Sequence, residues 1–380
     1  MTIFLIILNL KKGLKILNKK IEFYSTRDIP ISHTRKYVEL ISKVVLTDSL
    51  IDGDSVRAFE EKFANFIGTD HCLGVGNGLD ALFLILSALE ISKGDKVAIP
   101  AHTFIATWLA VLKVGAIPIG IDVDDSGQMN LDELEKHLDL KCVIVVHMHG
   151  RSCDLARLKN WTDSKAVFLI EDCAQAHGLA YNGKRVGSWG VASAFSFYPT
   201  KNLFALGDAG AICSSNKEII VKCKKISRYG TSVDNKYKHA LNGINSRLDS
   251  IHAAVLSYSI NYLDEWNLSR NRIASLYDLN LSEKIVKPKL TNSVNHHYDI
   301  KIINRNVFRN KLLEKGIGTE IHYPINASHE VLGTLANNFP IASWISDHTL
   351  SLPISPWQDD EDTQIVIDTV NTLIKSSEFI

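Results

Sequence analysis

Lys201 follows a run of small and aromatic residues, Ser193-Ala194-Phe195-Ser196-Phe197-Tyr198, that is broken by Pro199. Val191 to Tyr198 reads as a buried strand, and the proline ends it. The lysine is therefore set at a strand exit rather than on a solvated helix. Burial lowers the pKa of an ammonium, and a neutral amine condenses with an aldehyde to a Schiff base. A surface lysine in a loop is the competing reading. Its surroundings bear on the choice. Ser196 has a hydroxyl to offer a phosphate, and Glu171-Asp172 closes another apolar run. A carboxylate at a strand end is costly unless it meets a cation or a donor, and a protonated pyridine nitrogen is such a partner. Asp172 would then keep a cofactor ring protonated and electron-withdrawing, as pyridoxal phosphate requires. Capping of the next helix is the plainer role for the same acid.

Gly74-Val75-Gly76-Asn77-Gly78 closes a strand and opens a helix that carries Leu79, Leu82, Phe83, Leu86 and Leu89 on one face. The amides of Gly78, Leu79 and Asp80 are expected as unpaired donors at the positive end of that helix, a place to hold a phosphate without a cationic side chain. A cap that needs small residues would look alike. A dinucleotide fold would want a third glycine at another spacing and an acid ending the next strand, which ends instead at Pro100. Phe104, just beyond it, could lie flat on a heteroaromatic ring or belong to the core. His147 and His149 share a strand face, one start of a metal site, but lack a third ligand at suitable spacing.

These groups have to be carried by a framework, and the chain supplies one. Apolar runs recur at Cys72 to Val75, Val97 to Pro100, Ile117 to Val123, Cys142 to Met148, Val167 to Cys173, Ala192 to Tyr198 and Ala209 to Ser214. Helical patterns lie between several of them, Leu79 to Leu89 and Thr103 to Val114 being the clearest. Such alternation predicts a mostly parallel sheet covered on both faces, with ligands beyond the carboxyl ends of its strands. Before it, Thr34 to Val45 and Ser55 to Phe66 read as helices, with Asp54 placed to cap the second. A long helix over Asp249 to Trp266 leads to an α+β layer, ending in a helix near Glu361 to Lys375. The expected division is an extension over 1–20, a large unit over 21–265 and a small one over 266–380.

The 380 residues carry 42 basic and 42 acidic side chains, and this balance, with no basic stripe, argues against a nucleic-acid partner. Six scattered cysteines inside apolar runs suit a reducing compartment, and the cytoplasm is expected. Ile3 to Leu10 is too short to span a bilayer and its lysines follow it, so a frayed extension is expected rather than a stable membrane insertion.

In combination the motifs resemble the pyridoxal-phosphate-dependent sugar-nucleotide aminotransferases of the DegT/DnrJ/StrS type, from about Ile21 to the C-terminus. They are Gly76 to Leu82, Pro100 to Val111, Glu171 to Gly178, Phe195 to Gly210, Gly243 to Leu248 and Gly318 to Pro324. The resemblance implies the aspartate-aminotransferase fold (fold type I), α/β with a seven-stranded sheet and a smaller C-terminal α+β domain. It makes Lys201 the Schiff-base lysine and Asp172 the partner of the pyridine nitrogen. Gln175 would contact the ring hydroxyl and Phe104 would stack on the ring, while Gly78, Leu79 and Ser196 would hold the phosphate. Asn245 would cross a homodimer interface to the neighbour's cofactor phosphate. With L-glutamate as amino donor and a nucleotide-linked keto sugar as acceptor, the freed amine of Lys201 would be the base that moves the proton.

The chain departs from the family at two places. His149-Gly150-Arg151 stands where Tyr-Gly-Gln is commoner, and Ala209 replaces a glycine. His149, Arg151 and the loop from Tyr229 to Asn242 are where substrate differences are expected. The subgroup pattern implies a thymidine-diphosphate 3-keto-6-deoxyhexose and a 3-amino-3,6-dideoxy product for surface polysaccharide or glycosides. Amination at C4, a dehydratase and a non-catalytic cofactor-binding sensor are the alternatives. The dehydratase branch carries a histidine in place of Lys201.

Overall fold

The seven apolar runs come together as one sheet. In the computed structural model, which describes residues 20–231, 238–325 and 339–379, they form β1 (His71–Val75), β2 (Lys96–Pro100), β3 (Ile117–Ile121), β4 (Cys142–Val146), β5 (Phe168–Asp172), β6 (Ala192–Ser196) and β7 (Gly210–Ser214). Their order is β1-β7-β6-β5-β4-β2-β3. Within this sheet only β7 runs against its neighbours, pairing antiparallel with β1 and β6, while the remaining pairs are parallel. The extension over 1–20 lies, but for Lys20, outside the described residues.

Strand side chains alternate between faces, and here both faces are apolar. Along β4, Cys142 and Ile144 enter one hydrophobic cluster and Val143 and Val145 the other. α2 (Asp54–Ile67), α5 (Leu155–Ser164) and α7 (Ser250–Ser259) cover the second of these faces with Phe59, Phe63, Leu158 and Leu256. The first is covered by α3 (Gly78–Ala88), α4 (Ile105–Lys113) and α6 (Lys217–Ile226), through Leu82, Ile85, Trp108 and Cys223. All six cysteines are buried and free.

Two local expectations are corrected. Asp54 does not cap α2. After α1 (Ile31–Thr47), the carboxylate of Asp48 accepts from the amides of both Asp54 and Ser55 at 2.9 Å. Those bonds, with others from Ser55 and Ser49, hold its pKa down to about 2. Nor does the long helix end at Trp266. α7 tightens into a 3-10 turn over Ile260–Tyr262 and continues as α8 (Leu263–Asn280), because Ile273, Ala274 and Tyr277 have a third apolar cluster to enter.

That cluster gathers the C-terminal elements. β8 (Tyr298–Lys301) pairs antiparallel with β9 (Thr349–Leu352), flanked by α9 (Arg305–Glu314) and α11 (Asp360–Leu373), while α10 (Pro340–His348) packs Ala342 and Ile345 with Ala101 and Val123 of the large unit. Thr319 to Tyr323 adds only a bridge, Glu320 opposite Ser351. The start of the described chain returns to this layer. Ile21 donates to Gly316 at 2.9 Å and accepts from Gly318 at 2.8 Å.

Candidate active site

The parallel strands β1, β2, β5 and β6 end on the same edge of the sheet, so the groups that follow them meet there. After β1 the chain turns into α3, whose N-cap Asn77 accepts from the Asp80 amide at 2.8 Å. Asp80 is thus not the free donor expected of it. The amides of Gly78 and Leu79 remain, with no carbonyl one turn behind them. This turn is pressed against β6 and β7. A Cβ on Gly78 would lie 3.0 Å from the Cβ of Ser196, and one on Gly210 only 2.6 Å from the carbonyl carbon of Asn77. Ser196 has one long contact, accepting from the Tyr198 amide at 3.4 Å, which leaves its hydroxyl free to turn toward the helix start. Together they form an anion cradle of amides and a hydroxyl.

Asp172 ends β5 and is 7% exposed. It accepts from the Thr107 hydroxyl at 3.0 Å and the Ala174 amide at 3.1 Å. Burial raises its pKa, and these two bonds and the charge of Lys201 offset the rise only in part. A further cation or donor would therefore be welcome at this carboxylate. Lys201 sits in the turn after β6, its amide bonded to the carbonyl of Tyr198 at 2.8 Å. Burial brings its amine down to about 8 while Asp172 opposes the shift. A substantial neutral fraction near pH 8 makes this amine a nucleophile and a base.

Gln175 donates to the Tyr323 hydroxyl at 2.9 Å and accepts from the His149 amide at 2.6 Å. Phe104, 52% exposed, lies with its ring 5.2 Å from that of Tyr323. Asp172, Gln175, Phe104, Gly78, Leu79, Ser196 and Lys201 thus collect around one edge. Asn245 does not join them side by side. It is exposed, bridged through its backbone to Arg228, while its neighbour Ser246 accepts from the Gly76 amide at 2.9 Å.

His147 and His149 do not share a face, because His149 takes a left-handed turn with φ of 59°. His147 points to Glu171 at 3.1 Å, and His149 to His297 at 3.1 Å. His147, Glu171 and Cys173 do bring ligand-type atoms within 4.8 Å of one another, but Glu171 is already filled by the amides of Gly187, Trp189 and Gly190. Arg151 is buried and paired with Asp299, and Ala209 offers only a buried methyl group, so neither departure from the family motif reaches the sheet edge with a free polar side chain. Part of the loop from Tyr229 to Asn242, residues 232–237, lies outside the described residues. Thr107 and Tyr323 were not singled out as site residues, although both fall within motifs that carry the resemblance. A hydroxyl one turn into a helix that starts at the site was the available signal.

A family model for the DegT/DnrJ/EryC1/StrS aminotransferases matches residues 32–371. The chain is 38% identical to dTDP-3-amino-3,6-dideoxy-alpha-D-galactopyranose transaminase of Aneurinibacillus thermoaerophilus, over 92% of this chain and 99% of that protein. Its fold superposes on the crystal structure of DesV from S. venezuelae with a TM-score of 0.89 at 33% identity, covering 94% and 99% of the two chains. It superposes on ntda from Bacillus subtilis, solved with bound cofactor pmp, with a TM-score of 0.87 at 27% identity, covering 94% and 86%. The sheet edge fits the same cofactor, with an amide cradle too tight for a Cβ, a buried carboxylate short of partners and a lysine of lowered pKa. The chain belongs to the DegT/DnrJ/EryC1/StrS aminotransferase family, and it is a pyridoxal-phosphate-dependent sugar aminotransferase.

Proposed function

We propose that this enzyme takes the amino group of L-glutamate and delivers it to a nucleotide-linked keto sugar, most specifically a thymidine-diphosphate 3-keto-6-deoxyhexose. The similarity to a dTDP-3-amino-3,6-dideoxy-galactose transaminase supports the sugar class. The single observation that carries the chemistry is the facing of Lys201, brought down to about 8, and the buried, under-partnered Asp172. Pyridoxal phosphate, when bound, supplies the electron sink that makes a carbon-bound proton acidic. In our reading Asp172 holds the ring nitrogen's proton, and Thr107 holds Asp172. Gly78, Leu79 and Ser196 bind the phosphate. Phe104 would pack on the ring and Gln175 would meet its hydroxyl. The Lys201 amine would hold the group at rest and, once freed, would serve as the base for the proton on the donor's alpha carbon.

The partner, place and domain readings are part of the same proposal. Asn245 is exposed, and among the described residues its side chain has no hydrogen-bond partner, which supports its use by the partner subunit of a two-fold dimer. Free buried cysteines support a cytoplasmic enzyme, and no described helix is long and apolar enough to cross a membrane. The large unit over 21–265 and small unit over 266–380 remain our division.

Lys201→Ala is the decisive test. It should abolish the visible absorbance of the lysine-bound cofactor and lower turnover by at least about 10^4-fold; turnover near wild type would sink the assignment. Incubation with glutamate and each keto-sugar nucleotide, followed by NMR of the product, tests the acceptor. Nitrogen at C4 instead of C3 would replace the substrate reading while leaving the transaminase intact.

A further inference from the structure

We infer that Asn202 is a positioning residue of the amino transfer, locking His296 in the tautomer that offers a nitrogen lone pair, and not an N–H, to the cavity beside Lys201. This deepens the transaminase reading above and rests on it, because the lone pair serves the Lys201 amine. Asn202 directly follows the lysine and is only 1% exposed. Its Nδ2 donates to Oδ1 of Asn267 at 2.8 Å and to the carbonyl of Val294 at 3.1 Å, and its Oδ1 stands 2.9 Å from Nδ1 of His296.

Elimination fixes the direction of each bond. A carbonyl only accepts, so the end of Asn202 that meets Val294 is its NH2, and Oδ1 is left for the imidazole. Asn267, on α8, is fixed in the same way, because its own Nδ2 donates to the carbonyl of His177 at 2.9 Å. The amide oxygen of Asn202 also only accepts, so Nδ1 of His296 carries the hydrogen. The side chains that face this ring are Lys201, Arg270, His177, His297 and His322. None is an acid, so nothing draws a second proton onto it, and burial keeps the imidazole neutral. A neutral imidazole has one N–H, and Nε2 is therefore the lone pair. Nε2 is bonded to no described residue, and His296 lines a cavity of about 570 Å³ together with Lys201.

The tautomer matters because of what the freed lysine has to do. An N–H at this wall would donate to the amine and occupy its lone pair, the very electrons a base needs. A lone pair at the same wall accepts one of the amine's hydrogens instead, which steadies the amine and leaves its own pair free. The clamp also ties the lysine's turn to α8 and to the segment that leads into β8. It acts on the base and not on either substrate, so both halves of the transfer depend on it alike.

Neutron diffraction from deuterated crystals of the holoenzyme should show a deuteron on Nδ1 of His296 and none on Nε2. A deuteron on Nε2 would overturn the inference. His296→Asn keeps a donor for Asn202 but removes the lone pair. It should melt within about 3 °C of wild type, while the single-turnover rates of the glutamate and keto-sugar halves both fall by about tenfold and each KM stays put. A loss confined to one half, or to KM, would make His296 a substrate contact and overturn the inference. Asn202→Asp sets a carboxylate against Nδ1, which raises the ring's pKa and puts a proton on Nε2 at neutral pH. This variant should lose rate at neutral pH and regain it as pH rises through the new imidazole pKa, a limb that wild type and His296→Asn lack. An equal loss at every pH would mark Asn202 as merely structural and overturn the inference. Turnover retained in Lys201→Ala, with the deuteron still on Nδ1, would keep the tautomer and overturn the lysine's role alone.

Discussion

Glu171 and Asp172 are neighbours on one strand, and they live in opposite electrostatic worlds. The side chain of Glu171 is wholly buried, and its two oxygens take His147 at 3.1 Å and the amides of Gly187, Trp189 and Gly190 at 2.7, 2.7 and 2.8 Å. Burial alone would raise its pKa, but these partners win and hold it below the ordinary value. Asp172, turned to the other side by the strand's alternation, has Thr107 and Ala174, and for it burial wins. A carboxylate saturated by its own chain ties the chain together. One left under-partnered at an open edge is held ready for a ligand, at a cost in stability.

Exchanging each acid for its amide should break this comparison in opposite ways. Asp172→Asn should lower turnover by about 10^3-fold, since it removes a charge aimed at the reacting group. In cofactor-free protein the same change should raise the melting temperature at neutral pH. Asp172 titrates above its ordinary value when folded, so it subtracts stability once pH has risen past the usual carboxylate range, near 4. Its charge also props up the Lys201 amine, so in Asp172→Asn that amine should titrate below about 8. The rate at which Lys201 condenses with an added aldehyde, followed across pH 6 to 9, should then have its midpoint moved to lower pH. An unchanged midpoint would remove Asp172 from the neighbourhood of the lysine.

Glu171→Gln should instead cost about 3 kcal/mol of stability, measured by denaturant unfolding, because it breaks a buried, saturated site. Turnover per folded molecule should stay within a few-fold. The pH slope has the reverse sign here. A carboxyl held low when folded adds stability above its ordinary value and loses it as pH falls, so this variant should have a flatter acid limb.

Arg151 extends the comparison to a second saturated site. Asp299 is buried beside Arg151 and Lys301, the latter at 2.5 Å, with the ring of His149 at 3.8 Å, and the two cations help hold it well below its ordinary value despite burial. Arg151→Gln leaves Lys301 in place, so about 2 kcal/mol of stability should be lost. The selectivity among keto-sugar nucleotides should not move; a changed preference would return Arg151 to the substrate.

This residue also marks where sequence reading ends. Strand positions, their number and the groups at their exits were legible, because period-two and continuous apolar runs report burial directly. Lys201, Asp172 and Ser196 followed from those exits. Pairings between distant segments were not legible. Arg151 and Asp299 lie 148 positions apart, and nothing local distinguishes an arginine aimed at substrate from one aimed at a distant aspartate. The same limit explains Asp54, where a nearer candidate hid the carboxylate of Asp48, and His149, whose left-handed backbone moved it off the face that strand alternation assigns it.

The smallest predicted effect concerns Thr107. Its hydroxyl donates to Oδ2 of Asp172 at 3.0 Å and stands 3.2 Å from the hydroxyl of Thr103, so a short chain of hydroxyls supports the acid from the start of α4. The bond favours the charged carboxylate, and Thr107→Val removes it without changing the volume much. The pKa of Asp172, already raised by burial, should rise further, and turnover should fall by about tenfold, the equivalent of one hydrogen bond to a charged group. The acid limb of the pH–rate profile should move to higher pH, because more of Asp172 is protonated at a given pH. Thr107→Ser should restore both rate and limb. A valine variant that loses rate with its acid limb in place would mean that Thr107 shapes the helix rather than charging the acid, and the contrast with Glu171 would then rest on the Ala174 amide and the cofactor alone.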